Sequence, residues 1–427
     1  MAFNQRFPSY QSPVTSHCQS PLSPQTSKEG TDKVSHETNY EKEHCEIVCA
    51  PFGLYIHIPF CRSRCDYCGF YSIGRKPTDR YIDALTKEMD LKSPDFEDRL
   101  CDTVYLGGGT PSSLSEAQLT RLMKTLSQHF RISDTAEITM EMNPCDMSED
   151  YLKNAMRAGV NRISIGVQEK HDHLLSAIGR RHTAKEAETA VKRAYRMGFH
   201  NLSLDLMYEL PGQTVKDFEA SLRWAVHLPV NHMSIYSLIL EDGTRMAQLA
   251  ERGRLARPSE EESWAMYQAM CRILPAYGFA RYEISSFARK GYRSRHNQKY
   301  WELSDYLGLG PAACSRIGRT RTENTPGVGL YEKELLTGHP PQQEVEELSD
   351  TDEMEEYCFL HLRMKEGIPL DGFRKRYGAD ITHWYGDALK MLKERKLLKE
   401  EAGHLFLTYH GAALGNFVFE QFLLGEQ

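Results

Sequence analysis

The chain has 427 residues, 40% of them hydrophobic, and a formal net charge of −7. That length supports two or three domains, or one large α/β domain with appendages, around a sizeable core. The acidic balance gives no general electrostatic reason to bind nucleic acid, and no run of eighteen apolar residues offers a membrane span, although peripheral membrane contact remains open.

The first residues carry no basic-then-apolar leader, and the stretch from Glu29 to Glu46 is too acidic for a transit peptide. Eleven cysteines, three of them gathered in one short segment, fit a reducing compartment better than a disulfide framework, so the expected location is the cytoplasm. Residues 1–50 are rich in Ser, Pro, Gln, Thr and charge with no sustained apolar period, which predicts a disordered extension. Cys45 and Cys49 form a C-x3-C pair there, without a third partner.

From residue 51 to about 290 strands alternate with helices. Leu54 to Pro59, Asp102 to Leu106, Glu137 to Met142, Arg162 to Val167, Asn201 to Met207 and Met233 to Leu240 read as β-rich runs. Arg80 to Leu91, Glu116 to Phe130, Glu149 to Ala158, Ala184 to Met197 and Val215 to Leu228 have apolar residues at helical spacing. Ser115 and Ser148 stand where N-caps belong, and Gly159 and Gly198 where helices stop. Six strand–helix units in series predict an α/β fold with a parallel sheet and right-handed crossovers, whose ligands bind beyond the carboxyl ends of the strands.

Near residue 290 the alternation ends. Residues 291–350 read as a loop-rich connecting segment that carries His296-Asn297-x-x-Tyr300-Trp301. Residues 351–427 read as a smaller C-terminal α+β domain, with helices at Asp352 to Lys365 and Trp384 to Lys393, a hairpin between Lys396 and Thr408, and a last helix to Leu424. Helix, hairpin and helix together are winged-helix-like. Without a basic recognition helix, this unit is read as a substrate cover rather than a DNA reader.

The chemistry concentrates in Ile58-Pro59-Phe60-Cys61-Arg62-Ser63-Arg64-Cys65-Asp66-Tyr67-Cys68. Three thiolates on one short loop can hold three corners of a [4Fe–4S] cluster and leave one iron open to a ligand that is not protein. Tetrahedral zinc sites more often arrive as paired C-x2-C knuckles, and no second knuckle follows. The loop directly follows the first strand, at the ligand-binding end of the sheet. Gly107-Gly108-Gly109-Thr110-Pro111 closes the second strand at that same end, where glycines let a ligand approach the backbone. Glu141 ends the third strand and Gln168 the fourth, while Asp205 sits inside an apolar strand, a costly place for an acid unless it is paired or ligand-bound.

The triad, with Tyr67 just before its last cysteine, resembles the radical S-adenosylmethionine (SAM) superfamily. The resemblance implies a partial (β/α)6 barrel, a [4Fe–4S] cluster on Cys61, Cys65 and Cys68, and SAM chelating the open iron, where an electron cleaves it to methionine and a 5'-deoxyadenosyl radical. It implies that the turn containing Gly108, Gly109 and Thr110 meets the methionine part of SAM. Glu141 would bind its ammonium or ribose hydroxyls, with Gln168 and Asp205 nearby. Arg180 or Arg181 would pair with the SAM carboxylate, and the family pattern favours Arg180. Tyr55 and Tyr67 would stand beside the cluster and its ligand.

Tyr55-Ile-His-Ile-Pro59-Phe60-Cys61, Leu106-Gly-Gly-Gly-Thr-Pro-Ser112, Asp205-Leu-Met-Tyr-Glu-Leu-Pro-Gly-Gln-Thr214 and His296-Asn-Gln-Lys-Tyr-Trp301 look like the coproporphyrinogen-dehydrogenase-like branch of that superfamily, over about residues 54 to 318. Two kinds of protein in that branch compete as readings. The oxygen-independent coproporphyrinogen III dehydrogenases abstract hydrogen from propionate side chains and continue the triad as C-G-C. The HemW-type haem chaperones, which bind haem and pass it on, carry phenylalanine there. Here Gly69 is followed by Phe70, so the chaperones are the better resemblance and coproporphyrinogen oxidation is not expected. Gly69 is itself a departure, since chaperones usually have aspartate. A third reading is radical opening or alkylation of haem or another tetrapyrrole.

The resemblance implies haem as a further ligand, haem-acceptor proteins as partners, and a low-potential electron donor. His296, an imidazole among aromatic residues, is the expected haem contact, and His57 is read as structural. Glu209 stands where chaperones usually have glycine. Cys314 stands at a position often held by histidine, and the expected consequence is either a thiolate substitute toward haem or a weakened haem site.

Overall fold

The computed structural model describes residues 50–424; the extension expected to be disordered, with Cys45 and Cys49, lies outside the described residues. The chain opens with β1 (Phe52–Ile58), α1 (Asp79–Lys92), β2 (Cys101–Gly108), α2 (Glu116–His129), β3 (Ile132–Met142), α3 (Glu149–Arg157) and β4 (Arg162–Gln168). It continues through α4 (Asp172–Ala177), α5 (Ala184–Arg196), β5 (Leu202–Tyr208), α6 (Val215–Ala225), β6 (His232–Ser237), α7 (Arg245–Glu251) and α8 (Glu260–Ala276).

Strands β1 to β6 pair in sequence order, each parallel to the next. Their helices begin as the sequence requires. Ser115, Thr183 and Thr214 accept bonds from the first-turn backbone of α2, α5 and α6, and Gln118, Glu186 and Asp217 return the bond. Ser148 caps α3. Gly159 and Gly198 follow α3 and α5 at φ +96° and +105°, a region open to glycine and strained for other residues.

Side chains alternate across a strand, so each of these strands has two characters. Leu54, Ile56, Val104, Leu106, Ile163 and Leu204 belong to the main core under the helices. The opposite face is polar. Register sets Tyr55, Tyr105, Thr139 and Arg162 side by side across β1 to β4, and one step on it sets Gly166, Asp205 and Ser234 together across β4 to β6.

The sheet does not stop at six strands, and the segment read as loop-rich is not a loop. It holds α9 (Arg295–Trp301), β9 (Tyr306–Leu309), β10 (Cys314–Ile317), β11 (Thr320–Asn324), α10 (Val328–Leu336) and β12 (Gln343–Glu347), after the short β7 (Ala280–Arg281) and β8 (Ser286–Ala288). β9 pairs parallel to β1, and β10, β11 and β12 continue antiparallel outward, while β8 and β7 extend the β6 edge, giving a 12-stranded mixed sheet. The periodicity of the added strands was too weak to read. They are two to five residues long. β12 is mostly exposed and held by its ladder, whereas β8 and β9 are buried and lend Phe287, Leu307 and Leu309 to the main core, so shortness rather than exposure hides those two.

The C-terminal unit comprises α11 (Asp350–Arg363), β13 (Ile368–Pro369), α12 (Leu370–Tyr377), α13 (Thr382–Glu394), β14 (Leu398–Glu401), β15 (His404–Leu407), α14 (Tyr409–Ala413) and α15 (Gly415–Glu420). Its antiparallel sheet, ordered β13-β15-β14, includes the expected hairpin, and it has its own core around Cys358, Leu362, Phe373 and Leu392. The expected last helix is two short ones, broken at Leu414. Phe359 and Leu360 of α11 and Met364 just after it pack with Tyr300 and Trp301 of α9, which seats this unit against the barrel. No helix among the described residues is long and apolar enough to cross a membrane.

Candidate functional site

The cysteine loop is pinned before any metal enters. The Cys61 amide donates to Ile73 O at 3.0 Å, Ile73 returns a bond to Pro59 O at 2.8 Å, and the Asp66 amide donates to Ile178 O at 3.3 Å. Arg64 donates through Nε to Cys68 O at 3.2 Å. Backbone bonds to two other segments, around Ile73 and Ile178, thus hold the loop that carries the thiols.

One cavity opens under this loop, with about 1110 Å³ of empty space including solvent at its mouth. Cys61, Cys65, Cys68 and Tyr67 form one side of it, and Gly108, Gly109 and Thr110 the adjoining wall. Glu141, Gln168, Arg180 and Asp205 line the rest. Eleven expected site residues from five strand ends therefore share one space.

The walls fit a cluster with an attached ligand. A Cβ on Gly109 would stand 2.8 Å from Phe60 N and 2.9 Å from Ile58 O, and Gly108, at φ +106°, would drive one to 2.6 Å from the His57 ring. The turn is shaped by closeness that only glycine allows. Among the described residues no three His, Cys, Asp or Glu side chains converge as a single-ion site. Three thiols on one loop beside an open cavity suit a multi-iron cluster, which needs only three protein corners, better than one tetrahedral zinc ion. Nε of Arg180 and Nε of Arg162 are buried in the cavity wall without a partner, so donors remain for a ligand.

Hydrogen bonds join the cluster loop to the ligand walls. Thr110 Oγ1 lies 3.5 Å from Cys61 Sγ and accepts from Asn143 Nδ2 at 3.2 Å. Arg180 donates to Asn143 Oδ1 at 2.7 Å, to Gly166 O, and to Cys65 Sγ at 3.6 Å. Ser164 Oγ donates to both oxygens of Asp205, at 3.1 and 3.2 Å. Gln168 takes φ +75°, next to an irregularity in the β4–β5 register, a strained conformation of the kind that collects at ligand sites.

The electrostatics favour protons in this space. Burial raises Glu141 to about 7, with Asp205 adding to the effect and the Tyr105 hydroxyl opposing it. Burial also raises Asp205, against hydrogen bonds from Ser234 and Ser164 and the charge of Arg162. Burial pushes the Cys68 thiol up to about 12 and raises Cys61 as well. A bound metal cation would invert that preference, because its charge favours the thiolate forms.

Two expected site residues do not reach the cavity. Tyr55 is buried, with its hydroxyl on His57 Nδ1 at 2.9 Å. His296 is fully buried on α9, with Nδ1 on Thr103 Oγ1 at 2.9 Å and Nε2 on Tyr300 OH at 2.8 Å. Both ring nitrogens are engaged within the protein, so in this structure the histidine ties α9 to β2. His57 is structural, as read, and bonds Tyr71 O at 3.0 Å. Cys314 lies on β10 opposite Glu323 and does not line the cavity. Glu209 adopts φ +64°.

Asn143, Arg162, Ser234, Tyr236 and Asn297 also line the cavity and were not singled out. Arg162 carried the same signal as Asp205, a charge within a buried strand. Asn297, one residue after His296, turns its motif toward the ligand space instead.

Residues 55–225 match the radical SAM superfamily and residues 348–414 the HemN C-terminal domain. The Bacillus subtilis (strain 168) protein named "Heme chaperone HemW" is 41% identical over 379 residues, 87% of this chain and 99% of that one. The Escherichia coli (strain K12) protein of the same name is 33% identical, over 87% of this chain and 98% of its own. "Radical S-adenosyl methionine domain-containing protein 1, mitochondrial" from Danio rerio is 34% identical over 81% of this chain and 82% of its own. Among solved structures, coproporphyrinogen III oxidase (HemN) from Escherichia coli superposes with a TM-score of 0.77 at 24% identity, over 87% of this chain and 90% of that one, which shows the shared fold. This chain belongs to the HemW family of radical SAM proteins.

Proposed function

We propose that this protein is a haem chaperone that carries a [4Fe–4S] cluster on Cys61, Cys65 and Cys68, binds SAM beside it, and passes bound haem to acceptor proteins. The near full-length similarity to proteins named as haem chaperones supports the reading. The observation that carries it against a coproporphyrinogen dehydrogenase is Phe70. It lines the cavity two residues after Cys68, at the place where the dehydrogenases supply a further cysteine.

The bound cluster and SAM supply one-electron chemistry at the cavity mouth. The chain's own residues do the remaining work. Gly108, Gly109 and Thr110 admit the ligand to the backbone, Glu141 and Asp205 take its ammonium and hydroxyl groups, and Arg180 steadies the cluster side through Cys65 and Asn143. The C-terminal unit, seated on α9, covers the substrate side. A low-potential donor supplies electrons, and the cytoplasm is the compartment that fits free thiols.

Anaerobic turnover tests this reading. Reconstituted protein is mixed with SAM, a low-potential reductant and coproporphyrinogen III, and vinyl-bearing products are followed by mass-resolved chromatography. No product from a sample with intact cluster, together with haem binding and its transfer to apomyoglobin, is the expected result. Decarboxylated product would make the protein a haem-biosynthetic enzyme despite Phe70.

A further inference from the structure

β12 is the last strand of the large sheet, and among the described residues no strand lies on its outer side. Leu348, just past β12, donates its amide to Arg319 O at 3.1 Å, and Gln342, just before it, accepts from the Thr325 amide at 2.8 Å. Along an antiparallel pair the backbone groups alternate between facing the neighbour and facing away. Across the β11–β12 register the amides and carbonyls of Gln343, Val345 and Glu347 therefore point outward. Glu344 to Glu347 are exposed, and Val345, at 64%, is the most exposed large hydrophobic side chain among the described residues.

An open edge of this kind is a template for another strand. The side chains select which strand. Glu344 stands opposite Glu323, and Glu346 opposite Arg321. Burial together with Glu344 raises Glu323 to about 7. Arg321 is shared between Glu346, at 3.9 Å, and Glu356 of α11. Arg319, just before β11, is taken by Asp350 and by Glu353, the latter at 3.3 Å. Glu347 accepts from the Thr320 hydroxyl at 2.6 Å. The edge thus keeps an acidic excess, with the nearby arginines already engaged. A second copy of this chain is a poor occupant. Two-fold pairing centred on Val345 would set Glu344 against the copy's Glu346, and like charges opposite each other destabilise a ladder.

We propose that the outer edge of β12 binds an extended basic segment of a partner protein, which adds a strand to the sheet through Gln343, Val345 and Glu347 and sets lysine or arginine beside Glu344 and Glu346. Side chains alternate along a strand, so the segment carries basic residues at every second position and apolar residues between them, on the face of Val345. The inference stands apart from the cluster and haem readings, because this edge shares no residue with the main cavity.

The test uses the full chain and a fluorescein-labelled acetyl-Lys-Val-Lys-Val-Lys-Val-Lys-amide, with fluorescence anisotropy for affinity and hydrogen exchange for the backbone. The parent is expected to bind the peptide and to gain protection at the Val345 amide. The same peptide N-methylated at its valines, whose amides would face β12, keeps its charge and is expected to bind about tenfold more weakly. Val345→Pro removes one outward amide while leaving the ladder to β11 intact. It is expected to lower affinity about tenfold at unchanged far-UV circular dichroism. Glu344→Lys/Glu346→Lys lowers affinity about tenfold at low salt, and the gap closes at high salt. Glu344→Gln/Glu346→Gln gives an intermediate effect and covers the case in which charge reversal impairs folding. Equal affinity for the methylated peptide, or for the peptide in Val345→Pro, shows adhesion by charge alone and overturns the proposal. No binding by the parent also overturns it. So does a dimer in sedimentation that Val345→Pro dissolves, since a second copy then occupies the edge.

Discussion

Tyr105 donates its hydroxyl to Glu141 Oε1 across 2.8 Å, one strand to the next inside the barrel. The bond opposes the burial that raises Glu141 to about 7, and burial wins. An acid whose folded value lies above its usual 4.5 contributes stability that is fully present below 4.5 and is lost as pH rises through 7. A shift of that size corresponds to about 3 kcal/mol. Glu141→Gln removes this dependence. Urea unfolding of the apoprotein from pH 5 to pH 8 is expected to show the variant gaining on the parent as pH rises. Parallel profiles would mean that Glu141 is ionised throughout.

His296 gives a second prediction, because a structural and a haem-binding histidine respond differently. Burial pushes it down to about 3, so it is neutral, and both nitrogens are bonded. His296→Phe strands the hydroxyls of Thr103 and Tyr300 and is expected to cost about 2–3 kcal/mol of stability. The haem absorbance maximum and affinity of the folded variant stay those of the parent. Loss of haem binding at unchanged stability would return His296 to the ligand set.

At Glu209 the backbone conformation predicts an order of stability. With φ +64° the residue occupies the left-handed region, where a side chain is strained. Its carboxylate lies 3.8 Å from Arg257, a partly exposed pair worth at most about 1 kcal/mol. Glu209→Gly is expected to be neutral or stabilising by up to about 1 kcal/mol, and Glu209→Val destabilising by about 1–2 kcal/mol. Denaturation midpoints at unchanged slope check the order. A glycine variant weaker than the valine one would show that polar contacts dominate.

What could be read from the sequence follows how each part is stabilised. β1 to β6 announce themselves because Leu54, Leu106, Ile163 and Leu204 are buried under capped helices, so apolar runs and cap residues both mark their places. Asp205 was legible for the opposite reason, as a charge that an apolar strand does not tolerate unpaired. Arg162 obeys the same logic but opens its strand, where a solvated arginine is ordinary. β11 and β12 were hidden because Thr320–Asn324 and Gln343–Glu347 hold their place through neighbouring strands. The motif around His296 gives no local sign of which residue meets the cavity. On α9 the adjacent Asn297 does so, while His296 turns toward Thr103 and Tyr300.

Cys65 and Arg180 separate cluster assembly from ligand binding. Arg180 reaches Cys65 Sγ at 3.6 Å and Asn143 Oδ1 at 2.7 Å through different nitrogens and also bonds Gly166 O. A lysine ammonium cannot span that fork. On the proposed cluster assignment, Cys65→Ala is expected to abolish the broad visible absorbance after anaerobic reconstitution. Arg180→Lys leaves all three thiols in place, so iron and sulfide stay near about four each, while SAM affinity measured by calorimetry falls about tenfold. Full iron and sulfide in Cys65→Ala would refute the ligand assignment. Unchanged SAM affinity in Arg180→Lys, at full cluster content, would show that charge alone suffices and that the three-way contact of Arg180 only supports the loop.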